Sequence, residues 1–303
     1  MSRFDVVGFG ALNVDKLFRV SKIAGADEEA FVSSFEEACG GSAANTIVGL
    51  ARLGCKVSFL GKVAEDREGV MLIDDFRKER VDTTGIIHAK SGRSGVVMGF
   101  VDAEGERALY VDSGVNDTLS FSELNSFQAR FLHLSSFVGD KSFQAQERLV
   151  EALPEKMKIS FDPGELYARR GLTFLESIIS RTFVLLPSQK ELKLLTRTSG
   201  HKEGAQVLIK KGVRIVAVKM GSEGCYVTNG DESHLIRAFK VKIVDTTGAG
   251  DAFDAGFLYG LLHSKSLQEC GTLGNFVASR CITAMGARNN LPQLADLKKS
   301  GVA

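Results

Sequence analysis

The stretch VDTTGAGDAFDAGFLYGLL spans Val244–Leu262. Gly248, Ala249 and Gly250 stand immediately before Asp251, and a long apolar run with a helical look follows. The β-branched residues of VKIVDTT predict a strand before the glycines. Glycines let the backbone turn tightly and approach a ligand with no Cβ in the way. The first turn of a helix offers free N–H groups at the positive end of its dipole, and together these features make an anion site. An acid placed there does not itself bind an anion. It makes sense if it takes the proton of a hydroxyl that attacks a bound phosphoryl group. The other reading is that Asp251 caps the helix, which Asp does well. The spacing leaves both open.

The chain has 303 residues, of which 44% are hydrophobic and 25% charged, with a formal net charge of +1. This fits one large globular domain or a domain with an appendage, and gives no reason to expect a nucleic-acid or membrane partner. Five cysteines (Cys39, Cys55, Cys225, Cys270, Cys281) are scattered with no C-x-x-C pair, so neither a disulfide framework nor a zinc site is expected. A reduced cytoplasmic setting is expected. The start MSRFDVVGFG lacks the long apolar core of a signal peptide.

Strand-like and helix-like runs alternate. DVVGFG, KVSFLGKV, RFLHLSSFV, KISFDPG, TFVLLP and RIVAVKMG read as strands, most of them near-continuously apolar, which suits parallel strands covered on both faces. SAANTIVGLARLG places Ala44, Ile47, Val48 and Ala51 on one helical face and stops at Gly54. Asp66 is expected to cap the next helix. Residues 14–38 and about 93–112 alternate apolar and polar instead, the second as a hairpin turning at Ala103-Glu104-Gly105. They predict a small antiparallel sheet projecting from the body, packed by Phe18, Phe31, Phe35 and Phe100 and placed to act as a lid.

Other phosphate motifs are weak. GLARLGCK lacks the GK[ST] of a P-loop, and GFGALN lacks the third glycine of a dinucleotide fingerprint. DTTGAGDAFDAGF, by contrast, is similar to the C-terminal signature of the ribokinase/PfkB family of sugar and nucleoside kinases. GGSAANTIVGLARLG, Gly40 to Gly54, resembles its N-terminal signature. The resemblance covers essentially the whole chain. It implies an α/β fold, with a ribokinase-like three-layer α/β/α body, a mostly parallel central sheet and a small β lid.

The resemblance implies residue roles as well. Asp251 would be the catalytic base, with Gly248, Ala249 and Gly250 as the anion hole. Asn13 and Asp15 in ALNVD would bind sugar hydroxyls and are expected to converge from an irregular turn. Gly40 and Gly41 would let the substrate approach, and Asn45 would reach another hydroxyl. Glu191 would hold Mg²⁺ through water, with Ser188 standing where the family has Asn. Gly221 and Gly224 would lie by the nucleotide, as would Asn275, and Lys219 replaces the usual Thr, facing either phosphate or solvent. Asp245 and Thr247, with groups around Ala284, Gly286 and Asn290, would be ligands of a monovalent cation such as K⁺; the other reading of Gly286 is a helix C-cap. The implied cofactors are ATP and Mg²⁺ and the partner a small sugar or nucleoside; the lid aromatics could separately stack on a nucleobase or form a homodimer contact through the lid.

Ser42 occupies the position where ribokinases carry a substrate Lys, after the glycine pair. Asn13 and Asp15 resemble the ribokinase arrangement, whereas KISFDPG and TAMGARNNLP look more like archaeal nucleoside kinases. Ribose-type sugars lead and nucleosides follow, with fructose and its phosphates behind. A non-catalytic sugar- or nucleotide-binding regulator conflicts with the intact Asp251, and an NAD-dependent oxidoreductase with the missing fingerprint. Cys39 and His133 read as packed residues without chemistry.

Overall fold

Strand β1 (Phe4–Phe9) shows why the body has three layers. Its side chains alternate, Val6 into one apolar core and Val7 and Phe9 into another on the opposite face. The computed structural model describes residues 4–104 and 106–302. After β1 come β2 (Asn13–Val20), β3 (Val32–Gly40), α1 (Ser42–Arg52), β4 (Val57–Ala64), α2 (Arg67–Lys78), β5 (Ile86–Ala89), β6 (Gly95–Val101) and β7 (Arg107–Asp112). Then follow β8 (Ala129–Leu134), α3 (Asp140–Ala152), β9 (Lys158–Phe161), α4 (Gly164–Ala168), α5 (Gly171–Phe174), α6 (Glu176–Ile179) and β10 (Thr182–Leu185). The chain continues through α7 (Gln189–Thr196), α8 (His201–Lys210), β11 (Ile215–Lys219), β12 (Cys225–Thr228) and β13 (Ser233–Ile236). It ends in α9 (Ala249–Leu262), α10 (Leu267–Cys281) and α11 (Leu294–Ser300).

The large sheet has the order β13-β12-β11-β10-β9-β8-β1-β4-β5. It is parallel from β11 to β5, with β12 and β13 added antiparallel at one edge. One core packs under α1, α2, α9, α10 and α11, and the other under α3 to α8. The strand order reverses between β1 and β8, where an α/β sheet opens a crevice beyond its carboxyl ends. No helix among the described residues is long and apolar enough to cross a membrane.

The small sheet has the order β3-β2-β6-β7 and is mixed rather than purely antiparallel. β2 pairs antiparallel with β3, as β6 does with β7, but β2 and β6 run parallel. The chain passes through β4, α2 and β5 between the two hairpins, and a parallel pair needs such a crossover. Phe18 stacks on Phe35 and Phe100, with ring centres 4.8 and 5.1 Å apart. Phe31 does not join them and is 78% exposed. In the β6–β7 turn, Asp102 N donates to Glu106 O at 3.1 Å; Gly105 lies outside the described residues.

Helix α1 is buried from Ala43 to Leu50, more than the one face expected, because α9 covers its other side. It ends as Gly54 predicts: φ is +86°, and the Gly54 and Cys55 amides bond back to Ala51 O and Leu50 O. Asp66 caps α2, accepting from Gly69 N at 2.7 Å. One expected element is not formed. Residues 240–244 are irregular chain rather than a strand, with Val244 and Asp245 N bonded to Ile282 O beyond α10. Ile243 and Val244 are exposed there, so their β-branched shape finds no sheet to pack on.

Gly8 lies where β1 passes beneath α1, and a Cβ there would sit 2.5 Å from Ile47 Cγ1 and 2.8 Å from the Phe59 ring. Gly8→Ala is therefore expected to destabilise the fold by about 1–3 kcal/mol, the usual range for overpacking. Equilibrium urea unfolding would measure the loss.

Candidate active site

The N-termini of α1 and α9 meet over the crevice. Gly41, the single residue between β3 and α1, has φ +103°, and a Cβ on it would lie 2.2 Å from Ala11 O. The chain can reach the helix so abruptly only with glycine there. In the first turn of α1, Ala43 N donates to Ser135 Oγ at 3.1 Å, beyond the end of β8. Gly248, φ +74°, starts α9 in the same way, and a Cβ there would lie 2.4 Å from Ala287 Cβ.

Asp251 is the third residue of α9 and does not cap it; the N-cap position is Gly248, with no side-chain bond. Its carboxylate instead accepts from α1. Ser42 Oγ donates to Oδ1 at 2.7 Å, and Asn45 Nδ2 donates to Oδ2 at 2.8 Å. Thr46 Oγ1 adds a 3.2 Å bond to Asp251 O. Burial pushes the Asp251 carboxyl up to about 6, against the lowering effect of the Asn45 and Ser42 bonds.

Asn13 and Asp15 converge as expected, but from the regular strand β2 rather than an irregular turn. Two residues apart on a strand, they share one face, while Val14 between them points into the core. Asn116 holds the entry to β2: its Nδ2 donates to Leu12 O at 2.8 Å and Asn13 Oδ1 at 3.0 Å. Gly40 leaves room for Asp15, since a Cβ would lie 2.2 Å from Asp15 Oδ2. Burial raises Asp15 to about 6, partly offset by Arg288. Arg288 crosses behind this floor. Its Nε donates to Asn45 Oδ1 at 2.7 Å, and its Nη1 pairs with Asp75. Asn45 is thus buried between Asp251 and Arg288 rather than lying on a solvated helix face.

A second polar cluster lies where β9, β10 and β11 end. Lys219 faces neither solvent nor open space; its Nζ donates to Asp162 Oδ2 at 2.8 Å and Asp254 Oδ1 at 3.2 Å. Ser188 and Glu191 form a reciprocal cap on α7, with Ser188 N donating to Glu191 Oε2 at 2.7 Å. Burial, then the charge of Asp162, raises the Glu191 carboxyl. Gly221, φ +60°, has open space where a Cβ would stand, whereas a Cβ on Gly224 would lie 2.0 Å from Ile236 O. Asn275 Nδ2 is committed to Ile236 O and Arg237 O at 3.1 and 3.2 Å.

Asp245 ties the loop before α9 to the C-terminal segment. It accepts from Thr247 N and Oγ1 at 2.9 and 2.8 Å and from Gly286 N at 2.8 Å. Burial works to raise its carboxyl, but these bonds outweigh it and hold it below the usual range. Gly286 is not a helix C-cap, since α10 ends at Cys281. Asn290 Nδ2 donates to Thr283 Oγ1, and Ala284 N to Cys281 O. All five cysteines are free. His133 is fully buried against Ser160, and burial lowers it to about 4. Sequence reasoning missed Asn116, Asp162, Asp254 and Arg288 as site residues, and treated Ser42 as a missing Lys.

Residues 3–294 match the description pfkB family carbohydrate kinase. An uncharacterized sugar kinase of Archaeoglobus fulgidus is 47% identical over 82% of this chain and 100% of its own. An ATP-dependent ribose-1-phosphate kinase of Halopiger xanaduensis is 31% identical over 94% of each chain. Among solved structures, a nucleoside kinase of Methanocaldococcus jannaschii superposes with a TM-score of 0.87 at 23% identity, covering 99% of this chain and 97% of that one. The likeness to that structure is one of fold. The chain belongs to the pfkB family of carbohydrate kinases and is an ATP-dependent phosphotransferase.

Gly41 sets where α1 begins and hence where Ser42 meets Asp251. Gly41→Ala forces a left-handed backbone and a clash with Ala11 O, and is expected to cost about 1–3 kcal/mol. Calorimetry would read this as a lowered Tm.

Proposed function

We propose that this chain transfers the γ-phosphoryl group of ATP to a hydroxyl of a small ribose-type sugar, with Asp251 as the general base. One observation carries the reading: Asp251 spends its carboxylate on Ser42 and Asn45 across the crevice instead of on capping its own helix. An acid near 6 is well matched to accepting a proton near neutral pH. The amides of Gly248, Ala249 and Gly250 would stabilise charge developing on the phosphoryl group. Asn13 and Asp15 would bind the sugar, with Gly40 and Gly41 giving it access and Asn45 orienting the base. The named activities of the ribose-1-phosphate kinase at 31% identity and of a Haemophilus influenzae ribokinase at 26% support a ribose-type acceptor. A nucleoside is the second reading, favoured because KISFDPG and TAMGARNNLP contribute Asp162 and Arg288 to the site.

ATP would lie along the loops at Ser188–Glu191, Gly221–Gly224 and Gly248–Gly250. For Mg²⁺, Glu191 fits as an outer ligand: one carboxylate oxygen caps α7 and the other remains for a metal-bound water. The ion would neutralise phosphate charge. No group of three or more His, Cys, Asp or Glu among the described residues is arranged to hold a metal. For K⁺, the ionised Asp245, with Thr247 and the segment Ala284–Asn290, supplies hard oxygen donors. The small sheet would close over the sugar as a lid from 14–38 and 93–112, excluding water from the donor. Its exposed Phe31, Phe35, Leu109 and Tyr110 suit a homodimer contact.

A coupled ADP-release assay with ribose, ribose 1-phosphate, fructose and a set of nucleosides tests the reading. Turnover of a ribose-type sugar is expected; none with any alcohol, despite ATP binding, would sink it. Asp251→Asn should bind ATP and sugar normally yet turn over at least about a hundredfold more slowly, the scale of a positioned base. A variant that keeps more than roughly a tenth of wild-type kcat makes Asp251 no base. In the wild type, kcat/KM should fall as pH drops through about 6, where Asp251 takes up its proton. Glu191→Gln should raise the Mg²⁺ requirement much more than the sugar KM; equal effects on both would count against its metal role.

A further inference from the structure

The C-terminal segment that follows α10 returns to the N-terminal end of α1, and Arg288 is the residue it delivers there. Arg288 is 8% exposed, so its guanidinium depends on partners within the protein. Nη1 pairs with Asp75 of α2, Nη2 donates to Gly40 O at 3.4 Å, and Nε donates to Asn45 Oδ1 at 2.7 Å. The guanidinium carbon lies 5.9 Å from the centre of the Phe76 ring. The backbone of the segment is also held. Arg52, in the last turn of α1, donates through Nη1 to Arg288 O and Leu291 O, while its Nε bonds Glu79 at 2.9 Å. One helix thus anchors the segment with its last turn and receives the guanidinium near its first.

Asp75 already neutralises this cation, so the bond to Asn45 calls for a separate reason. The two ends of an Asn amide differ in polarity: the oxygen accepts and the NH₂ donates, whereas a guanidinium only donates. Arg288 therefore takes the oxygen. That leaves Nδ2 to face Asp251, where it donates to Oδ2 at 2.8 Å. A flipped amide would set donor against donor at Arg288 and turn its oxygen on a carboxylate. Among the described residues no other side chain bonds to the Asn45 amide, so Arg288 alone gives it this direction. The partner of the other carboxylate oxygen is different in kind. Oδ1 accepts from Ser42 Oγ at 2.7 Å, and a hydroxyl both donates and accepts as it rotates. Oδ2 is thus kept as an acceptor, while Oδ1 has a partner that suits it with or without a proton.

We infer that Arg288 is a positioning residue for phosphoryl transfer: by donating to Asn45 Oδ1 it fixes the direction of that amide, which holds Asp251 Oδ2 as an acceptor and leaves Oδ1 to take the proton of the attacking hydroxyl. The inference rests on the reading of Asp251 as the general base. A double-mutant cycle tests it, with ATP and whichever of ribose, ribose 1-phosphate or the nucleosides turns over fastest. Arg288→Met keeps an unbranched apolar stem and removes every donor. It should lower kcat about ten- to a hundredfold, the scale of a hydrogen bond to a charged group. In an Asn45→Ala background, already slow, the same change should alter kcat by less than about twofold, because residues that act as one unit are not additive. Arg288 also bears on Asp15, whose carboxyl is raised by burial and partly relieved by this cation. That effect falls on acceptor binding and is read in KM.

A purely structural Arg288 predicts a lower melting temperature with kcat unchanged, or a full loss of kcat repeated in the Asn45→Ala background; either would overturn the proposal. If Arg288→Met strands Asp75 and does not fold, Arg288→Met combined with Asp75→Leu removes both charges of the pair, a replacement that folds often tolerate, and the same cycle is run on it. A second readout needs no turnover. In ¹⁵N-labelled protein without ligand, the side-chain amide signals lost in Asn45→Ala are those of Asn45. They should shift, and their protons exchange faster with water, once Arg288 is replaced; signals that stay in place are equally fatal. Failure of the base reading shows elsewhere, as near-normal turnover of Asp251→Asn, and leaves the shift of the Asn45 amide intact.

Discussion

The close docking of α1 on α9 is the constraint from which the site follows. Gly49 makes it: a Cβ there would lie 2.7 Å from Ala255 Cβ, so the helices meet through residues with almost no side chain. Both helices begin at glycines of positive φ, Gly41 and Gly248, and both start at the carboxyl edge of the sheet. Their contact brings two N-termini together. Ser42, Asn45 and Thr46 on one helix then reach Asp251 on the other without any long or flexible side chain. Short side chains on rigid elements lose little freedom when they are fixed, which suits a site whose geometry has to be held closely.

Electrostatics give that geometry its use. Asp15 and Asp251 are both raised to about 6 by burial, on opposite sides of the α1 N-terminus. Holding a carboxyl above its unfolded value costs stability once it ionises. Between the unfolded value and about 6 the folded state binds more protons, so this cost is absent in acid and present above pH 6. Two buried cations, Arg288 and Lys219, stand behind these acids, each tied to a carboxylate of its own. The site is thus a destabilised region carried by two well-packed cores.

The body of the fold was legible because its signals are strong and local. Apolar runs such as RIVAVK become parallel strands, and Gly54 and Asp66 end and start helices as their chemistry requires. VKIVDTT misled because β-branched residues mark a strand only where a sheet receives them, and the chain has already left the edge strand β13. The parallel pairing of β2 and β6 was hidden because their register is set by a crossover through β4 and β5. At the site, Asp251, Asn13, Asp15 and the glycines stood out because they lie in motifs. Asp162, Asp254, Asn116 and Arg288 did not, since their meaning depends on partners far away in sequence: Arg288 pairs with Asn45, Lys219 with Asp162. Lys219 was visible as a residue, but its inward direction is a property of the packed strands.

Arg288 also bears on how the protein is made. Its guanidinium joins the C-terminal segment to Gly40 O, Asn45 and Asp75, contacts that span most of the chain. During synthesis the N-terminal half leaves the ribosome first, with β2, β3 and α1 able to pair long before Arg288 exists. Until the segment around Arg288 emerges, Asn45 has no guanidinium to fix its amide. A half-made chain can therefore hold part of its sheet while lacking the contacts that fix Asn45 between Asp251 and Arg288.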